Sequence, residues 1–498
     1  MSGVGPAASD MPVIVVGCGN AALCAAIAAR EEGAQVIVVE AAPKALRGGN
    51  SAYTAGIMRV PYDSLDSLMP LLGGLSDFDR HKADVGSYSE SAFYDDLARV
   101  SEYRADPDLA LVVVERAAAT LRWLTTLGVR FELSYGHQAY EVDGKFKFWG
   151  GLAIGTVGGG PGLIDGLCAA AERLGVVFHY GARAVDLLVE GGVVCGVTIR
   201  ESGATVTLRG RAVVLASGGF EANRRWRAMY LGSGWDLAKV RGTRFNQGDG
   251  IRMALDVGAS PRGHWSGCHA VAWDRNAPEF GDIAVGDGFQ KHSYPLGIVV
   301  NAHGLRFIDE GADFRNYTYA KYGQEILRQP GQFAWQIFDA KVSGLLRDEY
   351  RIREVTRVRA DSLQDLAERL EGVDAGRVMD TIRTYNAAVD QTMPFDPAVK
   401  DGRGTRGLTP AKTNWANTID AAPFEAYAVT CGVTFTFGGV GVNTSGQVLD
   451  EDGGQIPGLF SAGEMVGGLF YFNYPGGSGL TAGSVLGRLA GLRAAATK

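Results

Sequence analysis

Residues 13–40, VIVVGCGNAALCAAIAAREEGAQVIVVE, decide how this chain is read. Residues 13–16 are an uninterrupted apolar run, as a parallel strand buried on both faces requires. Gly17-Cys18-Gly19 then turns tightly, the Ala-rich segment 20–30 has helical composition, and Gly33 stops it. Residues 36–39 are a second apolar run, ending on Glu40. This order makes a βαβ unit carrying G-x-G-x-x-A at Gly17, Gly19 and Ala22. Small residues let the backbone approach a pyrophosphate, and Asn20 and Ala21 open a helix whose first amides and dipole favour an anion. Glu40, 21 residues after Gly19, suits a ribose diol and repels a 2′-phosphate.

Two further glycine-rich turns follow at once: Gly48-Gly49-Asn50-Ser51, then Thr54-Ala55-Gly56. So soon after a ribose-binding carboxylate, they imply a ligand that continues past adenosine, and a flavin fits that better than a nicotinamide. Asp106-Pro107-Asp108 caps a helix over 109–127, and a glycine-dense loop at 150–162 leads into another over 163–174. Strands are expected at 176–180, 184–188 and 193–199, the last two joined by Glu190-Gly191-Gly192. A buried strand over 211–215 ends in Ala216-Ser217-Gly218-Gly219-Phe220, again presenting backbone to a ligand. Ala184, Asn223 and Asp249 fall in the same glycine-marked region and count among the nucleotide-binding candidates.

From about 256 to 421 the style changes: aromatics, Arg and Asp interleave, long helices are expected at 363–370 and 375–388, and the glycine turns lapse. After 421 they return, in Ser461-Ala462-Gly463-Glu464 and Tyr474-Pro475-Gly476-Gly477-Ser478-Gly479-Leu480. The reading is an α/β, two-domain protein. A disordered lead at 1–10 precedes a Rossmann-like nucleotide domain in two parts (11–255 and 422–498), which flank an inserted α+β capping domain at 256–421.

The totals exclude several classes. A net charge of −7 without a long basic run argues against nucleic-acid binding. No apolar segment reaches membrane-spanning length. Six cysteines, scattered with no CxxC, argue against zinc or iron–sulfur ligation and fit a reducing cytoplasm.

Taken in order, GCGNAA (17–22), GGNS (48–51), ASGGF (216–220), GDG (248–250), GGV (438–440) and SAGE (461–464) resemble the fumarate reductase/succinate dehydrogenase flavoprotein superfamily. Within it, RGTRFNQG, TPAKTNW and GVTFTFGG are most similar to FAD-dependent tricarballylate dehydrogenases. The resemblance implies bound FAD, a cap closing over a small-molecule substrate, and removal of hydride and proton from adjacent carbons to form C=C. It also implies an electron acceptor, either a partner protein or a quinone. Tyr53 and its neighbours include no histidine, so the FAD should be non-covalent.

The departures matter. The family's motif histidine is replaced by Thr434-Phe435, and its substrate arginine by Tyr474. Tyr474-Pro475-Gly476 resembles instead the element with which 3-ketosteroid Δ1-dehydrogenases polarise a ketone. Arg315 follows Arg306-Phe307-Ile308-Asp309-Glu310 at nearly the family's spacing for the proton-transfer arginine, whose relay arginine is missing, with Ser293 near that place. Tyr317 and Tyr319 are alternative bases. Arg59 is a candidate carboxylate anchor with Arg244, Tyr53 a flavin neighbour, and His269 a substrate contact. Glu464 is expected on the ribityl chain, and Gly479 and Leu480 at the flavin pyrimidine. The resemblance favours a tricarballylate-like substrate, with a cyclic ketone as first alternative and an ene-reductase as second.

Overall fold

Val13–Val16 sits at the centre of a six-stranded sheet because all four side chains are apolar and none reaches solvent. In this computed structural model, which describes residues 11–497, Val36–Glu40 and Ala212–Leu215 flank it in parallel, with Val13 opposite both Val36 and Ala212. Val177–Tyr180 extends one side of the sheet; Gln455–Ser461 and the antiparallel Gln447–Leu449 extend the other. The lead expected at 1–10 lies outside the described residues.

Helix Asn20–Glu31 is buried from Asn20 through Ala29, because it lies between this sheet and helix Ser478–Ala495. Gly483, Gly487 and Gly491 recur every four residues and so share one helix face. A Cβ at Gly487 or Gly491 would stand 2.3 or 2.1 Å from the carbonyl oxygen of Ala21 or Ala25. The two ends of the chain are thus locked backbone to backbone. The Glu190-Gly191-Gly192 turn does join two antiparallel strands, Ala182–Glu190 and Val193–Glu201, with Ala204–Arg209 as a third.

A second sheet is organised on Phe424–Val440, a 17-residue strand. Pro261–Asp274, Phe333–Phe338 and Arg357–Ala360 pair with it antiparallel, and Lys239–Val240 in parallel. Its first half helps to build a separate core with Ile298, Trp335, Ile337, Leu366 and Tyr385, covered by helices Leu363–Glu368 and Ala375–Ala388. Its second half, Thr434 to Phe437, runs to the cleft described below. Among the described residues, no helix is long and apolar enough to cross a membrane, and all six cysteines are free thiols.

Candidate active site

Two helices begin at one cleft. Asn20–Glu31 starts on Gly19 and Ser478–Ala495 on Gly477, N-caps without a side chain. Ser51 Oγ accepts the Asn20 N–H (3.3 Å) and Pro475 O the Ser478 N–H (3.1 Å), and the next N–H groups of both first turns are open to a ligand. The cleft, about 240 Å³, is lined at this end by Gly17, Gly19, Asn20, Ala21, Glu40, Gly49, Asn50 and Ser51. Ala184, Ala216, Ser217, Gly218, Asp249, Gly463, Glu464, Gly479 and Leu480 complete that part of the wall. Residues spread over more than 460 positions thus converge.

Gly17 has φ of 112°, and a Cβ there would stand 2.4 Å from the Ala216 oxygen; only glycine lets the two strand ends meet. The side chains of Asn20 and Asn50 are engaged by protein. Asn20 Nδ2 donates to Leu480 O (2.8 Å), and Ser484 Oγ donates to Asn20 Oδ1 (3.0 Å). Asn50 Nδ2 donates to Glu221 Oε1 (2.6 Å), and Asn50 Oδ1 accepts the Thr243 N–H (2.9 Å). Both residues line the cleft while their side chains hold the neighbouring loops in place.

Glu40 is 7% exposed and accepts the Ala42 N–H at 2.7 Å; burial pushes its carboxyl up to about 7. Glu464 accepts the Thr436 N–H at 2.8 Å, and burial beside Glu221 raises it well above the carboxylate range. Burial raises Glu221 too, and Asn50 and Asn246 donate to it. Two such carboxyls in contact share a proton. Glu221 was not singled out from sequence, although it directly follows ASGGF.

At the other end the wall is aromatic on one side and cationic on the other. Phe435 stacks on His269 (5.1 Å between ring centres, 16°), and Tyr319 and Tyr474 meet the same imidazole edge-on at 4.8 and 4.9 Å. Both nitrogens of His269 are buried without a protein partner, which aims an unused polar group at the cleft. Asn316 Oδ1 and Arg315 Nε, from two more cleft residues, are likewise unpaired. Tyr474 Oη accepts the Gly477 N–H (2.9 Å) and lies 3.0 Å from Tyr319 Oη. With two donors on its oxygen, Tyr474 keeps its own hydroxyl hydrogen for a ligand.

Arg315 is 9% exposed; its Nη2 donates to His137 O (2.8 Å) and its Nη1 lies 3.4 Å from His292 Nδ1. Burial, with Arg347 nearby, brings the guanidinium down to about 10. Arg241 also lines the cleft, paired with Asp287 at 2.5 Å, while Gln290 donates to the same Asp287.

Several candidates stand elsewhere. Arg59 is fully buried outside the cleft: it donates to Gly476 O at 2.8 Å, pairs with Asp96 at 3.6 Å, and lies over the Tyr88 ring at 5.0 Å. It braces the Tyr474 loop from behind, its Nη2 buried and unpaired away from the cleft lining. Arg244 is exposed over Phe280; Arg241, three positions earlier in the same RGTRFNQG stretch, is the arginine that faces in. Tyr53 packs against Gly281. Asn223 caps a short helix by accepting the Trp226 N–H (3.1 Å). Ala22, Gly48 and Gly56 lie behind the lining; a Cβ on Gly56 would meet Thr156 Oγ1 at 2.0 Å. Tyr317 bonds Asp96 and the Gly150 oxygen, leaving Tyr319 as the tyrosine beside Tyr474.

A model of the FAD binding domain family matches residues 12–480. A probable fumarate reductase of Shewanella frigidimarina is 29% identical over 489 residues, 97% of this chain and 74% of that protein. The 4-oxocyclohexanecarboxylate 2-dehydrogenase of Sinomonas cyclohexanicum is 27% identical over 98% of this chain and 93% of its own. The solved 3-ketosteroid Δ1-dehydrogenase from Sterolibacterium denitrificans superposes with a TM-score of 0.74 over 98% of this chain and 100% of that one, at 23% identity, a likeness of fold. The cradle fits FAD: Glu40 would accept a ribose diol, the glycine turns and one helix N-terminus would meet the phosphates, and a second helix N-terminus lies beside Tyr474. The chain is an FAD-dependent oxidoreductase acting on CH–CH or C=C groups, and it belongs to the FAD binding domain family, within the fumarate reductase/succinate dehydrogenase flavoprotein superfamily.

Proposed function

We propose that this protein desaturates the C–C bond next to a ketone, and that its substrate is a ring-sized oxo acid. The observation that carries this is the Tyr474 hydroxyl, held by Gly477 N–H and Tyr319 with its own hydrogen left over. Such a donor stabilises the negative charge that develops on a ketone oxygen as the α-hydrogen leaves. The aromatic wall of Phe435, Phe470 and Tyr474 suits a flat ring, while the Asp287-paired Arg241 suits one carboxylate. Tricarballylate carries three carboxylates. With Arg59 and Arg244 outside the cleft, few cations are left to meet them. The similarity to 4-oxocyclohexanecarboxylate 2-dehydrogenase supports the same class.

Bound FAD, held without a covalent link, supplies the hydride acceptor. The proton goes to Arg315 in this reading. At about 10, its guanidinium loses a proton at neutral pH for about 4 kcal/mol. Burial beside Tyr474 pushes the Tyr319 phenol well above its ordinary value, so it stays protonated at neutral pH and has no phenolate to offer as base. We further propose that 256–421 acts as the cap, that the six free thiols reflect a reducing cytoplasm, and that electrons pass onward to a partner protein or quinone.

The test is anaerobic stopped-flow mixing of the FAD-loaded protein with 4-oxocyclohexanecarboxylate, cyclohexanone and tricarballylate, following flavin bleaching. Bleaching by the oxo acid above all supports the proposal. Bleaching by tricarballylate alone overturns it, and re-oxidation of reduced flavin by an enone without any forward bleaching would reverse the direction to reductase.

A further inference from the structure

Behind the cleft lies a second, much smaller cavity of about 20 Å³, lined by Trp149, His292, Phe314, Arg315 and Trp415 among others. Among the described residues, Arg315 is the one that lines both. The small cavity exceeds the ~10–15 Å³ that one water needs, and Tyr140 and Pro397 on its rim are half-exposed.

His292 forms part of this cavity and not of the cleft. It is 1% exposed, lies edge-on to Tyr319 at 4.8 Å, and places Nδ1 3.4 Å from Arg315 Nη1. Burial and the cations Arg315, Arg241 and Arg347 keep its pKa well below the ordinary histidine value. A neutral imidazole has one acceptor and one N–H. Arg315 offers only N–H, so Nδ1 is the acceptor and Nε2 carries the hydrogen. Nε2 has no protein partner, and neither does the indole N–H of Trp149 on the same cavity. Two buried donors on this space lack a protein acceptor, and the space is large enough for one water oxygen to meet them.

We propose that His292 relays the substrate-derived proton from Arg315 to this small cavity and so to solvent. The inference rests on the reading above, in which Arg315 takes the proton. The bonds balance without electron transfer. Arg315 Nη1–H passes its proton to Nδ1 as the Nε2–H passes to water, and His292 remains neutral with its tautomers exchanged. The freed guanidine then takes the substrate proton, so one proton has left for solvent per turnover; the first tautomer returns when water gives a proton to Nε2 and takes the one on Nδ1, with no net transfer. His292 acts through Arg315 and does not touch substrate.

The experiment uses the FAD-loaded chain and the ketone that bleaches the wild type. His292→Phe keeps the ring against Tyr319 and removes both nitrogens; His292→Ala opens room for added imidazole. The relay requires bleaching about tenfold slower or more in both variants, a larger solvent deuterium effect, recovery of His292→Ala with imidazole, and an unchanged Kd for the oxo acid in equilibrium titration of the oxidised protein. Bleaching within twofold of wild type, or slowing with neither an isotope change nor imidazole rescue, overturns it. Wild-type protein that no ketone bleaches would instead overturn the underlying reading, and the relay with it.

Discussion

Glu40 provides a quantitative test of how the nucleotide cradle is built. Its carboxyl is buried in the free protein and sits at about 7 instead of its ordinary 4.5. The folded state therefore holds this proton more tightly than the unfolded chain. The associated stability is fully present below 4.5 and is lost as pH rises through about 7. At ~1.4 kcal/mol per pH unit, the loss across that interval is about 3 kcal/mol. Glu40→Gln, nearly isosteric, removes it. Urea denaturation of the FAD-free protein from about pH 5 to about pH 9 should show wild type losing about 3 kcal/mol relative to Glu40→Gln, with the two curves parallel above about pH 8. Other raised carboxyls, Asp287 and the Glu221–Glu464 pair, are common to both proteins and cancel in the difference. FAD binding responds to the same carboxyl. The charged carboxylate is the form that accepts two ribose hydroxyls, so FAD affinity of the wild type should rise up to tenfold per pH unit below about 7 and then level off. Fluorescence titration measures this. Equal pH slopes for wild type and Glu40→Gln, in both stability and FAD affinity, would refute the assignment of Glu40 as a buried ribose acceptor.

Tyr474→Phe should slow ketone-driven flavin bleaching by about 10²–10³ while the oxidised flavin spectrum and FAD content stay normal; a loss under threefold would remove the hydroxyl from the chemistry. Arg59→Met should cost about 1–3 kcal/mol of stability by taking the donor from the buried Gly476 carbonyl, while Asp96 keeps Arg99, Tyr88 and Tyr317; denaturant titration reads this, and a large rise in substrate Kd with unchanged stability would return Arg59 to the pocket. Arg241→Gln should raise the Kd of the oxo acid about tenfold or more and leave that of cyclohexanone unchanged, read by titrating the oxidised protein; equal effects on both would exclude a carboxylate anchor. Acid precipitation should release all of the FAD into the supernatant, and yellow colour left in the pellet would disprove non-covalent binding.

Where the sequence was legible, the reason is local. The apolar run at 13–16, the glycines at 17 and 19 and the carboxylate at 40 each answer to a backbone or burial requirement set within a few residues. Hence the βαβ unit, the hairpin at Glu190-Gly191-Gly192 and the glycine-marked wall of the cleft could be read in one dimension. Arg59 misled because a guanidinium beside a glycine turn looks alike whether it faces a ligand or, as here, Asp96 and three aromatic rings. Arg241 and Arg244 share one motif, and strand pairing of Lys239–Val240 with Phe424–Val440 decides which turns inward.

The sequence by itself therefore determined the nucleotide-binding fold, because buried strands and tight glycine turns constrain residue type position by position. Only the tertiary structure decided the far end of the cleft. Tyr319 and Tyr474 are 155 residues apart and Arg315 and His292 are 23 apart, and what those groups do depends on partners and burial that no local pattern encodes.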